Sequence, residues 1–199
     1  GVLHYIAHFP VLKDSSTTKM RIVYDASAKM NQQTVSLNDC LYTGSNLLQD
    51  LTGVLLKFRV HQIAITADIE KAFLQIELDT RERDATRFLF LKNIEKPVTM
   101  DDLRVYQFCR VLFGAAPSPF LLLATVHYHL DINARKSACI ARDLKECMYM
   151  DNVVTGVSDE KQAMHYYIHS RELMDTAGMN LRQWCTNSKV LKQKNRRRW

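Results

Sequence analysis

Gln62-Ile63-Ala64-Ile65-Thr66-Ala67-Asp68 is a short apolar run that stops on a carboxylate, and it reads as a β-strand. Upstream, Asn46 to Val60 places Leu47, Leu48, Leu51, Val54, Leu55 and Phe58 at steps of three and four, the spacing of an amphipathic helix. Further back, Tyr5 to Val11 and Met20 to Tyr24 are strand-like and flank a polar turn at 13–18. That pattern predicts a hairpin with basic residues near its tip, followed by an irregular stretch over Ala26 to Ser36.

Downstream, Phe73 to Leu78, Arg87 to Leu91 and Val105 to Leu112 read as strands, with a polar excursion from Ile94 to Leu103. Ser118 begins a helix whose start suits Pro117 and Pro119 and whose body is Phe120 to Leu130. Ala138 to Glu146 reads as another helix. Met148-Tyr149-Met150 is a short strand, Asp151-Asn152 a tight turn and Val153-Val154-Thr155 its return. Asp159 to Ala177 is a helix with Ala163, Tyr166, Tyr167, Leu173 and Met174 on its apolar side and Gly178 as its cap. Strands and helices mix without a regular βαβ alternation, so the predicted class is α+β, an antiparallel sheet backed by helices.

The 199 residues are 47% hydrophobic and 24% charged, enough for one sizeable core or a core with a smaller lobe. A formal net charge of +6 favours a polyanionic partner. No long apolar run is present, so nucleic acid ranks ahead of a membrane. Cys40, Cys109, Cys139, Cys147 and Cys185 are scattered, odd in number and form no C-x-x-C pair, as expected of reduced intracellular thiols. No signal or transit peptide is visible, and both ends read as cut from something longer.

Two apolar strands end on acids: Thr66-Ala67-Asp68-Ile69-Glu70-Lys71-Ala72-Phe73 and Tyr149-Met150-Asp151-Asn152. Nucleotidyl transfer needs such carboxylates on rigid elements, because two metal ions roughly 3.5–4 Å apart must be bridged. Magnesium prefers hard oxygen ligands and keeps waters and substrate phosphates, so two or three protein ligands suffice. Either aspartate taken alone would read as a turn cap.

Four segments in order carry a resemblance. They are Lys19-Met20-Arg21-Ile22-Val23-Tyr24-Asp25-Ala26-Ser27, Thr66 to Ile76, Phe113-Gly114-Ala115-Ala116-Pro117-Ser118-Pro119-Phe120, and Tyr149-Met150-Asp151-Asn152. From Tyr5 to about Asn187 the chain resembles the reverse transcriptase of long-terminal-repeat retrotransposons of the BEL/Pao group. The resemblance implies a right-hand polymerase palm with partial fingers: fingers over 1–62, palm over 63–187 with a fingers insertion at about 79–104, and a basic tail over 188–199. It implies an RNA-directed DNA polymerase using two Mg²⁺ ions, or Mn²⁺, on an RNA or DNA template-primer with deoxynucleoside triphosphates. Asp68 and Asp151 would hold the metals, with the Ile69 carbonyl completing one shell and Asn152 as a weakened third ligand. Tyr149 and Met150 would lead into that motif. Phe73 would lie under the incoming sugar and exclude a 2′-hydroxyl, and Gly114 would let the backbone approach the template-primer. Arg21 and Lys13 would grip the triphosphate, Arg21 through its planar fork. The remaining partners would be the rest of a Pol polyprotein (thumb, ribonuclease H, integrase). The setting would be intracellular, in a cytoplasmic virus-like particle or the nucleus, with no membrane and no secretion.

The main departure is Asn152, where the family pattern has a second aspartate. Its amide oxygen is a hard ligand without charge, which predicts impaired catalysis. Gln183 stands near where related enzymes have a lysine, and no catalytic role is carried onto it. The rival reading is a non-catalytic relic that at most binds nucleic acid; a two-metal nuclease is a third, disfavoured by the motif order. His127-Tyr128-His129 and the His165, His169 pair lack a partner at zinc spacing and read as ordinary surface or core histidines. Arg196-Arg197-Arg198 reads as a solvated tail.

Overall fold

The computed structural model describes residues 3–12, 20–95, 97–134 and 137–196. The chain is α+β with antiparallel sheets and helices, in two compact units.

The first unit comprises residues 1–43 and 76–118. Strands β1 (Ala7–Leu12) and β2 (Met20–Asp25) pair antiparallel, Ala7 opposite Asp25 and Leu12 opposite Met20, which is the expected hairpin. Strands β4 (Arg87–Leu91) and β5 (Leu103–Gln107) form a second antiparallel pair. The Ile6 amide donates to the Arg87 carbonyl at 2.7 Å, joining the two ribbons. Ile6, Ala26, Leu37, Leu112 and Ala115 make the buried core, with Tyr24 and Phe108 against it. The Tyr24 ring meets Phe108 edge-on at 4.7 Å and Phe88 at 5.0 Å, a favourable aromatic geometry. The short helix α1 (Leu37–Cys40) belongs to this unit.

The second unit comprises residues 44–75 and 119–199. It is built on a four-stranded sheet in the order β6-β7-β3-β8: β6 (Met148–Tyr149), β7 (Asn152–Val157), β3 (Ile63–Ile69) and β8 (Leu181–Thr186). Every neighbouring pair is antiparallel. Helices α4 (Ala138–Cys147) and α5 (Glu160–Asp175) pack on β7, α5 also on β3 and β8, and α6 (Lys189–Arg196) on β8. Helix α3 (Ser118–Asn133) contributes Leu122, Leu123, Val126 and Leu130 to the core, all essentially fully buried with Ile65, Ile69, Leu144 and Val153. No helix among the described residues is long and apolar enough to cross a membrane.

Several boundaries differ from the sequence expectation. The helix expected over 46–60 is α2 (Leu51–Val60), because the Asp50 carboxylate accepts from the Thr52 and Gly53 amides and fixes the N-terminus there. The expected strand over 73–78 is a 3-10 turn, Ala72–Gln75, followed by an isolated bridge between Glu77 and Arg110. The strand expected over 105–112 is β5, displaced towards the N-terminus so as to register with β4. The expected tight turn at Asp151-Asn152 falls one residue earlier, at Met150-Asp151, since Asn152 already pairs with Tyr149. Helix α5 ends in the expected fashion, with the Gly178 amide donating to Asp175 and Gly178 at φ +70°. Strand β8 and helices α1 and α6 were not expected from the sequence.

Replacing Asp50 with alanine removes the cap of α2 and is expected to lower stability by about 1 kcal/mol in urea unfolding, while Asp50→Asn retains most of it.

Candidate active site

Strand β3 alternates strictly. Ile63, Ile65, Ala67 and Ile69 are buried, whereas Ala64, Thr66 and Asp68 are half-buried. Successive side chains in a strand point to opposite faces, so Asp68 lies on the face away from Ile65 and Ile69. Register fixes its neighbours: Asp68 is opposite Asn152 on β7 and opposite Arg182 on β8. Directly opposed residues project to the same side of an antiparallel sheet, so Asn152, Asp68 and Arg182 form a row across three strands.

Asp151 sits beside that row. Met150 takes φ +58°, the left-handed conformation that two-residue hairpin connections favour. The Ile69 amide donates to the Asp151 carbonyl at 2.9 Å and ties the connection to the end of β3. The Asn152 side-chain amide donates to Asp151 Oδ1 at 3.0 Å. The structure therefore gathers Asp68, Ile69, Asp151 and Asn152 at one end of the sheet, with the half-buried Tyr149 and Met150 leading in.

The two oxygens of Asp68 are treated differently. Oδ2 lies 3.4 Å from Arg182 Nε, and Arg182 Nη1 lies 3.3 Å from Glu70 Oε1. Asp68 Oδ1 is buried with no hydrogen-bond partner. A buried anionic oxygen left unpaired is costly. That unpaired oxygen, at the sheet end where Asn152 and the turn residue Asp151 also sit, fits a hard divalent cation. Among the described residues no three His, Cys, Asp or Glu side chains assemble into a metal-holding group; the set here is two carboxylates and an amide. Glu70 is held below the usual carboxylate range by the Asn180 side chain and by Arg182.

Phe73 is buried on the 3-10 turn that follows β3, in the same unit as Asp68. Arg21 and Gly114 belong to the first unit. Arg21 is exposed on β2 opposite Val11, and Lys13 lies outside the described residues. Gly114 has φ +86°, and a Cβ there would meet only the Tyr24 carbonyl oxygen, at 3.6 Å. The left-handed backbone, not crowding, is what calls for glycine.

The sequence reading missed two residues. Arg182 has no local signature, because the bulge in β8 breaks the alternation by which a strand is read. Asn38 bridges two of the motif segments: its Nδ2 donates to the Gly114 carbonyl and to Ser27 Oγ, each at 2.8 Å, and its Oδ1 accepts from the Ala116 amide at 2.8 Å. The available clue was Ser36-x-x-Asp39, a reciprocal cap that frames α1 and carries Asn38 on it. Lys29, at 2.7 Å, and the Ser36 amide hold the Asp39 carboxyl down at about 2, against an ordinary 3.8.

His129 Nε2 bonds the Leu173 carbonyl at 2.8 Å, and the His165 ring lies tilted against that of His169, centroids 4.2 Å apart; His169 in turn bonds Glu172 at 3.0 Å. His127 Nε2 is buried without a hydrogen-bond partner. All five cysteines are free thiols.

Residues 12–190 match the family model described as reverse transcriptase (RNA-dependent DNA polymerase). No curated protein matches the chain in sequence. Among solved structures it is similar to the prototype foamy virus protease-reverse transcriptase, both the native protein and a selenomethionine-labelled CSH mutant, with TM-score 0.63 and 18% identity. The match covers 89% of this chain and 20% of those chains. A foamy viral protease-reverse transcriptase dRH in complex with double-stranded DNA matches with TM-score 0.61 and 18% identity, over 89% of this chain and 26% of that one. The chain thus spans a fifth to a quarter of the length of these proteins.

Asn38→Ala leaves the Ala116 amide and the Gly114 carbonyl without these partners and is expected to destabilise the protein by about 1–3 kcal/mol on chemical unfolding. The lowered Asp39 pKa means that its contribution is present above its unfolded value of 3.8 and is lost as the pH falls towards 2. Amide exchange in α1 is expected to accelerate across that window, and Asp39→Asn should abolish the pH dependence.

Proposed function

The chain belongs to the reverse transcriptase (RNA-dependent DNA polymerase) family, and from that premise we propose that it extends a primer 3′-end with deoxynucleoside triphosphates on an RNA or DNA template. The observation that carries the reading is the meeting of Asp68 with Asp151 and Asn152 at one sheet end, with Asp68 Oδ1 buried and unpartnered. The four motif segments support membership of the BEL/Pao group. In this reading the fingers cover 1–62 with an insertion at about 79–104, and the palm covers 63–187.

Asp68, Asp151 and the Ile69 carbonyl are the oxygens that would hold two Mg²⁺ or Mn²⁺ ions. When bound, such ions lower the pKa of an attacking hydroxyl and neutralise charge on the transferring phosphate. The chain's own residues do the remaining work. Phe73 stands at the sugar position and excludes a 2′-hydroxyl; Gly114 allows close approach of the template-primer; Arg21 and Lys13 take the triphosphate; Tyr149 and Met150 aim the Asp151 connection. The DNA complex of the foamy viral neighbour and the net charge of +6 support a nucleic-acid partner. A thumb, ribonuclease H and integrase from the same polyprotein complete the machine, in the cytoplasm within a virus-like particle or in the nucleus.

Asn152 weakens this site in two ways. It brings no charge, and its amide occupies Asp151 Oδ1. That bond favours a second reading, a relic that binds duplex without extending it. A primer-extension assay with Mg²⁺ or Mn²⁺ separates the two. Asn152→Asp is expected to raise extension by about 10²–10³, and Asp68→Asn to abolish it. If neither the chain nor Asn152→Asp extends while both bind duplex, the relic reading stands; cleavage of labelled duplex without nucleotides would assign a nuclease instead.

A further inference from the structure

The arginine beside Asp68 has no place in the reading above. Arg182 is opposite Asp68 on β8, on the same face of the sheet, with Nε 3.4 Å from Oδ2. Its other end reaches Glu70, Nη1 to Oε1 at 3.3 Å. Glu70 is itself fastened by the Asn180 side chain at 3.0 Å, and its backbone amide donates to the Asn180 carbonyl at 2.9 Å. The guanidinium therefore has one partner it could release and one that is anchored.

Its placement depends on a local irregularity. Thr66 is opposite Cys185 and Asp68 opposite Arg182, so Gln183 and Trp184 together face Ala67 alone. Gln183 absorbs the extra residue at φ +49°. Such a bulge re-aims neighbouring side chains, and here Trp184 is buried while Arg182 stays on the Asp68 face.

We propose that Arg182 is the resident counter-cation of the Asp68 carboxylate: it neutralises the site while no divalent ion is bound, and it rests on Glu70 alone when an ion takes Asp68. This deepens the polymerase reading and rests on it. Two features of the pair support exchange over a permanent clamp. Arg182 Nε makes no hydrogen bond despite its proximity to Oδ2, so the contact is electrostatic and loosely directed. Asp68 Oδ1 is left free for an incoming ion without first breaking anything. A cation a few ångströms from a dication site repels the ion, so the arrangement protects the metal-free sheet and lowers metal affinity at once.

The test is Mn²⁺ binding to the full chain, followed by electron paramagnetic resonance of free Mn²⁺, with thermal unfolding measured alongside. Arg182→Met is expected to bind Mn²⁺ about tenfold more tightly or better, to melt lower than the parent without metal, and to gain more from saturating Mn²⁺. Arg182→Lys keeps the charge and should bind as the parent does. Glu70→Gln removes the resting place and should weaken Mn²⁺ binding. Weaker or unchanged binding by Arg182→Met overturns the proposal, as does unchanged or tighter binding by Glu70→Gln, which also decides the matter should Arg182→Met fail to fold. Asp68→Asn serves as the separate control. If it binds Mn²⁺ as the parent does, the metal reading of Asp68 itself is wrong. If it loses binding while the Arg182 variants behave as the parent, only the role of Arg182 falls.

Discussion

Pairing of β3 on both edges is the constraint from which the second unit follows. With β7 on one side and β8 on the other, the strand has no open edge and no freedom of register. A slip of one residue would carry Asp68 into the core and Ile65 and Ile69 out of it, because the side-chain period is two. The apolar row of Ile63, Ile65, Ala67 and Ile69 thus decides which way the carboxylate points. Burial on one face fixes the carboxylate on the other.

The far side of the neighbouring strand is secured by polar contacts. Thr155 of β7 is buried and its hydroxyl donates to Asp143 Oδ2 at 3.0 Å. The Cys147 thiol donates to the same oxygen at 3.5 Å, and the Tyr166 hydroxyl lies 3.7 Å from the sulfur. Burial pushes both the thiol and the phenol up, so each stays neutral and serves as a hydrogen-bonding group. Cys147 reads as a structural thiol, the outcome expected of a buried cysteine with a suppressed thiolate. The first unit has its own fastening in Asn38, whose amide binds the backbone of the Gly114 loop at two points.

The strands that line the candidate site were legible in the sequence because each has a local signature: an apolar run ending on an acid, or a short hairpin whose turn reads as 151–152 and falls one residue earlier. Elements without one were lost. Strand β8, Leu181-Arg182-Gln183-Trp184-Cys185-Thr186, shows no alternation, since its bulge breaks the period on which a strand is recognised. The four-residue α1 is too short to carry a helical period. Over 73–78 the apolar residues suited a strand, but Lys71 at φ +50° turns the chain into a 3-10 segment that buries Phe73. Arg182 and Asn38 were missed for a shared reason: each acts through a partner distant in the chain, and no local pattern announces such a contact.

The bulge in β8 leaves one position outside the usual accounting of inside and outside. Residues 181 and 184 both face inward, so the side chain at 183 belongs to neither layer and is exposed. Amino-acid replacement there meets little resistance from the core, and polar or charged types are equally admissible. Loss or gain of a residue in the same stretch is another matter, for it would invert the phase of everything before or after it. Over evolutionary time position 183 should drift in identity, short of the β-branched residues that its φ of +49° disfavours, while the segment holds fast in length.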